Sequence, residues 1–226
     1  MSKKKFDLVK DLDGIYIIGK GASAVKCPEK KPEGKQIEYW GANDLFKLRA
    51  VDRVFVMRDL YVTQFNQDRE LIKKLNELDK PVYTLGGYSE LTNNVIYPIN
   101  DVITDFDLAY FLNTASYMLA LAIMLQPKEI HLYGIDMNFG SMAEYMRNEK
   151  ACLEQWIGVA IGRGIEVKVT PDTRLLKRHG YGNYYGMKLI KPQTPTEPSR
   201  LVPTFVSGCS GKCAKKYQLT KEVLSM

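Results

Sequence analysis

Histidine and cysteine are scarce in this chain: two histidines, His131 and His179, and four cysteines, Cys27, Cys152, Cys209 and Cys213, stand in 226 residues. Thiols so few and so scattered exclude the disulfide framework of a small secreted domain, and reduced cysteines are expected. A closed zinc site draws four ligands from such residues. Cys209-Ser-Gly-Lys-Cys213 offers half of one, and reads instead as a Gly-rich turn without metal. Long apolar runs are missing too. The longest, Ala115 to Leu125, falls short of the roughly 18–20 residues of a membrane span, and Met1-Ser-Lys-Lys-Lys opens no apolar signal segment. A cytoplasmic protein with no membrane partner is expected, and no internal repeat is visible.

What is present fits a folded α/β protein. A hydrophobic share of 45% against 26% charged residues rules out global disorder, and the length suits one domain with a full core. The net charge of +6 favours an anionic partner: a nucleotide, a nucleic acid or a phosphorylated glycan. Much of the excess sits in solvated ends, at Lys3 to Lys5 and at Lys212, Lys215, Lys216 and Lys221.

Short β-branched and aromatic runs that stop at glycine or polar residues predict strands at Gly14–Gly19, Ile37–Trp40, Arg53–Met57, Lys80–Leu85, Glu129–Tyr133 and Ile165–Val169. Helical spacing of Leu71, Ile72, Leu75 and Leu78, the Ala/Leu/Met run from Thr114 to Leu125, and Ala143 to Arg163 supply the helices between them. This alternation predicts a doubly wound, mostly parallel sheet with helices on both faces. From Thr170 onward a Gly/Tyr loop, Gly180 to Gly186, and a proline-rich stretch, Pro192 to Pro203, predict an irregular lid or tail. The expected division is a nucleotide-binding domain over 1–190 and a Pro-rich, basic extension over 191–226 packed on it.

In such sheets ligands bind outside the carboxyl ends of the strands, where strand order reverses. The polar strand ends are therefore the candidate site. Gly19-Lys-Gly-Ala-Ser23 would let the backbone approach a phosphate, Thr114 or Ser116 would cap a helix or meet a ligand, and Asp136 follows a buried strand, placed to orient or deprotonate a hydroxyl. An ordinary βα turn and an aspartate capping the next turn are the alternatives. His179, among Arg174, Lys177 and Arg178, is the histidine expected to work; His131 lies within a strand and is expected to face the core or a flanking helix.

Asn113 through Met137, with Thr114-Ala-Ser-Tyr-Met118, Lys128-Glu-Ile130 and Gly134-Ile-Asp136, resembles a segment of the bacterial family 42 sialyltransferases that recurs in the MptE-like pterin diphosphokinases. Ile17-Ile-Gly-Lys-Gly-Ala-Ser23 is similar to their first turn and Pro171-Asp-Thr-Arg-Leu-Leu176 to a late element. The resemblance implies a Rossmann-like transferase. On it, Gly19, Lys20, Gly21 and Ser23 would face the nucleotide, with Asn43, Arg58, Thr114, Asn138 and Tyr145 completing the donor site. Lys20 stands where the family has asparagine, Ala22 where it has proline and Ala115 where it has glycine, and the family's histidine base has no aligned counterpart. Asp136 or His179 would then take the catalytic role, with Arg178, Tyr181, Tyr184 and Tyr185 at the acceptor or lid.

The resulting expectation is a glycosyltransferase that moves a sugar from a nucleotide-sugar donor to a hydroxyl without a cofactor or a metal. Hydroxymethylated bases in DNA are the leading acceptor, from the basic ends and the Tyr-rich loop. The alternatives are an ATP- and magnesium-dependent diphosphokinase, to which Asp101, Asp105 and Asp107 would contribute, and a non-catalytic nucleotide- or nucleic-acid-binding module.

Overall fold

The computed structural model describes residues 9, 11–58, 60, 67–138, 143–176, 187–190 and 200–203. The chain divides into two compact units, Met1–Leu176 and Lys177–Met226. The first contains β1 (Gly14–Ile18), β2 (Ile37–Ala42), β3 (Arg53–Phe55), α1 (Gln67–Asn76), β4 (Val82–Thr84), β5 (Asn94–Ile96), α2 (Ile99–Phe106), α3 (Thr114–Met124), β6 (Glu129–Tyr133), α4 (Ala143–Gly162) and β7 (Glu166–Val169). Its seven strands form one sheet in the order β5-β4-β3-β2-β1-β6-β7. Every pairing in it is parallel. This is the doubly wound, Rossmann-like architecture expected from sequence.

Alternation along the strands divides the core between the two faces. Ile15, Ile17, Trp40, Phe55, Ile130 and Leu132 pack with α3 and α4, while Tyr16, Ile18, Tyr39, Val54 and Val82 pack with Leu71, Ile72 and Leu75 of α1. The helix α3 is apolar all round because it is buried all round: Met118 through Ile123 are each at most 1% exposed. It lies against β1, β2, α2 and α4, so a polar stripe on it would have no solvent to meet.

One strand and one helix of this unit were not anticipated: β5, only three residues long, and α2, which has just eight. In the second unit, β8 (Met187–Ile190) and β9 (Arg200–Pro203) pair antiparallel. The stretch expected to be irregular thus contains a two-stranded ribbon.

At the amino end of β6, Glu129 is buried between two cations, Lys168 at 2.8 Å and Lys35 at 3.2 Å, with the His131 imidazole at 3.1 Å. Burial opposes its charge, but hydrogen bonds from Lys168, His131 and Lys35 more than offset this and hold the carboxyl at about 2, against an ordinary 4.5. His131 stacks on Tyr16 at 4.3 Å, and burial pushes its own pKa down despite Glu129. A carboxylate depressed by folding stabilises the native state above its unfolded pKa and loses that contribution as pH falls through its folded one. Wild-type stability is therefore expected to decline between pH 4.5 and about 2 as Glu129 takes up its proton. Glu129→Gln should lower the melting temperature at pH 7 and flatten that acid limb in melts run across the same range.

Candidate active site at the strand-order reversal

The chain moves outward from β1 through β5 and then returns to the other side of β1 as β6, so strand order reverses between β1 and β6. Ile18 and Tyr133 are paired at the ends of these strands, and the loops that leave them are laced together. Gly19 N donates to the Tyr133 carbonyl and Gly21 N to the Gly134 carbonyl, both at 2.8 Å. Gly134 has φ +63°, and a Cβ there would meet the Gly19 carbonyl oxygen; one on Gly21 would stand 2.5 Å from Asp136 Oδ2. The glycines expected to admit a phosphate therefore also let two loops close on each other.

Ser23 and Asp136 fasten this junction. The Ser23 amide donates to Asp136 Oδ2 at 2.9 Å, its hydroxyl donates to Asp136 Oδ1, and that hydroxyl accepts from Gly134 N at 2.8 Å. The backbone beyond is held as well, since Thr173 Oγ1 donates to the Ile135 carbonyl and Arg174 N to the Asp136 carbonyl. Ser23 is 2% exposed and stands behind the cleft wall, directed into the protein.

The cleft in front of the junction has a volume of about 630 Å³ and gathers residues from six segments of the chain, α4 among them through Glu149. Gly19, Lys20 and Gly21 come from the end of β1, Asn43 from β2, Arg58 from the loop after β3, Thr114 from the start of α3, and Asp136 and Asn138 from the end of β6. All were singled out in the sequence, although they are as much as 119 positions apart, from Gly19 to Asn138. Lys20 is half exposed and pairs with Asp44 at 2.8 Å. Burial raises the Asp44 pKa, but the hydrogen bond and charge of Lys20, with Lys47 behind, bring it below the ordinary value. Asn43 takes a left-handed conformation, φ +54°, and its Oδ1 lies 3.5 Å from Thr114 Oγ1.

Helix α3 aims its amino terminus at this cleft. Its N-cap is Asn113, whose side chain accepts from Ser116 N at 2.9 Å, while Asn113 N bonds back to Ser116 Oγ. The sequence reading put the cap at Thr114 or Ser116; Asn113 holds it because its extended backbone, φ −155°, aims the amide oxygen at the third residue of the helix. The amides of Thr114 and Ala115 have no carbonyl a turn earlier to bond. Among the described residues the Asn113 Nδ2 is buried without a partner.

No protein-family model matches the sequence, and neither does any curated protein. Among solved structures, the chain is similar to the sialyltransferase CstII from Campylobacter jejuni in complex with cytidine-5'-monophosphate, at 18% identity, covering 73% of this chain and 82% of that one, with a TM-score of 0.46. For the CstII complex with CMP-3FNeuAc the values are 18%, 74%, 91% and 0.44. Thiamine pyrophosphokinase from Bacillus subtilis is similar at 17% identity, covering 70% of this chain and 60% of that one, with a TM-score of 0.40.

His131, stacked on Tyr16 and bonded through Nδ1 to the Tyr133 hydroxyl at 3.1 Å, is among neither the cleft's residues nor its neighbours across it. Arg178, His179, Tyr181, Tyr184, Tyr185, Cys209 and Cys213, and the side chain of Tyr145, lie outside the described residues. Cys27 and Cys152 are buried free thiols. Among the described residues no three of His, Cys, Asp and Glu come together as a metal-binding group, and no helix is long and apolar enough to cross a membrane. Two polar cleft residues escaped the sequence reading: Asn113, although Asn-x-x-Ser before an apolar run is a capping pattern, and Glu149 of α4, which carries no local signal.

Proposed function

We propose that the protein is a nucleotide-dependent transferase that moves a glycosyl group from a nucleotide-sugar donor to an acceptor hydroxyl. The observation that supports this reading is the convergence in one cleft of Lys20, Arg58 and the open amino terminus of α3. When the bond between a sugar and a phosphate breaks, negative charge grows on the departing phosphate. Cations and helix amides fixed in advance around it stabilise that charge with little reorganisation. Asn113 Nδ2 adds a donor that has no partner among the described residues. Asn43, beside Thr114, is placed to hydrogen-bond the nucleoside or the sugar.

Cytidine and uridine mono- and diphosphates are expected to raise the melting temperature, because a ligand bound to the native state alone stabilises it. Nucleotide release from UDP-glucose, UDP-N-acetylglucosamine, GDP-mannose or CMP-N-acetylneuraminic acid then tests transfer. Stabilisation by ATP with magnesium, with none of these donors consumed, would move the assignment to diphosphoryl transfer. Lys20→Ala is expected to weaken nucleotide binding about tenfold, the effect of one charge-assisted hydrogen bond. Its ion pair with Asp44 is solvent-exposed and worth little to stability. The melting temperature should therefore stay within about 2 °C; unchanged affinity would remove Lys20 from the phosphate site.

A further inference from the structure

We propose, resting on the glycosyl-transfer reading, that Glu149 is the base that takes the proton from the acceptor hydroxyl. Among the described residues two carboxylates line the cleft, Asp136 and Glu149. Asp136 is committed elsewhere: both its oxygens accept from Ser23, one from the amide and one from the hydroxyl. Protonating Asp136 in each turnover would loosen the tie between the β1 and β6 loops that shape the cleft. Glu149 carries no such duty. It is half-buried, and no hydrogen bond or ion pair joins its carboxylate to another described residue; the adjacent cation, Lys150, is paired with Glu154 at 2.7 Å.

The helix around Glu149 is tied by Tyr110 to the loop that leads into α3. The Tyr110 hydroxyl donates to the Asn148 carbonyl at 3.3 Å, and the Tyr110 carbonyl accepts from Cys152 Sγ at 3.2 Å and from Trp156 Nε1 at 2.7 Å. Cys152 and Trp156 are fully buried. Helix α4 is thereby anchored just before and just after Glu149, as a proton acceptor requires if it is to keep its distance from a bound hydroxyl.

In the step itself the acceptor oxygen forms a bond to the anomeric carbon as its proton passes to the Glu149 carboxylate. The bond from that carbon to the phosphate oxygen breaks, and its electron pair leaves with the nucleotide toward Lys20, Arg58 and the α3 amides. The protonated Glu149 then returns its proton to solvent.

The experiment measures nucleotide release from the four donors named above, together with donor affinity and pH–rate profiles, for the full chain and for Glu149→Gln and Glu149→Asp. Glu149→Gln is expected to lower kcat at least about 100-fold, leave donor affinity within about twofold, and abolish the rise of rate with pH on the acidic side. Glu149→Asp, which keeps a carboxylate one methylene shorter, should retain part of the rate and that rise. A Gln variant with wild-type kcat, or one that loses only donor affinity, overturns the assignment and leaves the transferase reading standing. A wild-type protein that neither binds nor consumes any of the four donors overturns both.

Discussion

Gly134→Ala is expected to destabilise the protein by about 3 kcal/mol or more and to abolish nucleotide binding. The backbone at Gly134 has φ +63°, and a Cβ would collide with the Gly19 carbonyl and come within 2.9 Å of the Ala24 Cβ. Left-handed strain in a residue with a side chain costs about 1–3 kcal/mol, and forcing packed atoms apart costs a similar amount. Neither loop can give way alone, because Gly19 N, Gly21 N and Ser23 Oγ are all bonded across the same junction. In a chain of this size the loss corresponds to a fall of roughly 6–12 °C in melting temperature. Gly158→Ala is the matched control. That glycine is exposed within α4, with nothing within 4 Å of an added Cβ, so the same change there should raise stability by roughly 0.5–1 kcal/mol. Equal effects at the two positions would remove the close approach of the loops as the cause.

A loss of comparable size is expected when one half of the Arg53–Glu38 pair is removed. Arg53 Nε and one terminal nitrogen donate to the two Glu38 oxygens at 2.7 and 2.8 Å, and both side chains are at most 10% exposed. Trp40 Nε1 donates to the same carboxylate at 2.6 Å, and the Tyr83 hydroxyl lies 3.1 Å from Arg53. Arg53→Met leaves a buried carboxylate without its counter-charge and should cost about 3–5 kcal/mol. Adding Glu38→Gln discharges that group while keeping an acceptor for Trp40, and is expected to restore about 2 kcal/mol of the loss. Urea titrations of the two single variants and the double variant complete the cycle. Additive losses would mean that the two charges do not depend on each other.

The frame of the molecule was legible wherever a local pattern sufficed. The run Ile15-Tyr-Ile-Ile18 between glycines marked the central strand, and the alanine- and leucine-rich run after Asn113 marked a helix buried on every side. Lys20, Asn43, Arg58 and Asp136 were legible as a group because parallel strands bring their carboxyl ends to one edge. What could not be read depended on contacts between distant segments. Ser23 suggested a ligand-facing hydroxyl; its partner Asp136 is 113 residues away, and that pairing turns it inward. Glu149 reaches the cleft only because α4 packs on α3. The three residues of β5 are too few to establish a periodicity.

The tie between Ser23 and Asp136 also sets an order of assembly while the chain is being made. A ribosome adding roughly 5–20 residues per second delivers Asp136 on the order of 10 s after Ser23. Through that interval β1 can align with β2 and its outward neighbours while its other edge, the one β6 later occupies, stays open. Parallel pairing across so long a separation is slow, because loop closure is paid in entropy before the contacts form. The cleft is thus complete only once β6 and the start of α4 have emerged, and a chain cut short before residue 134 has most of the sheet without the wall that Gly134 to Asn138 and Glu149 supply.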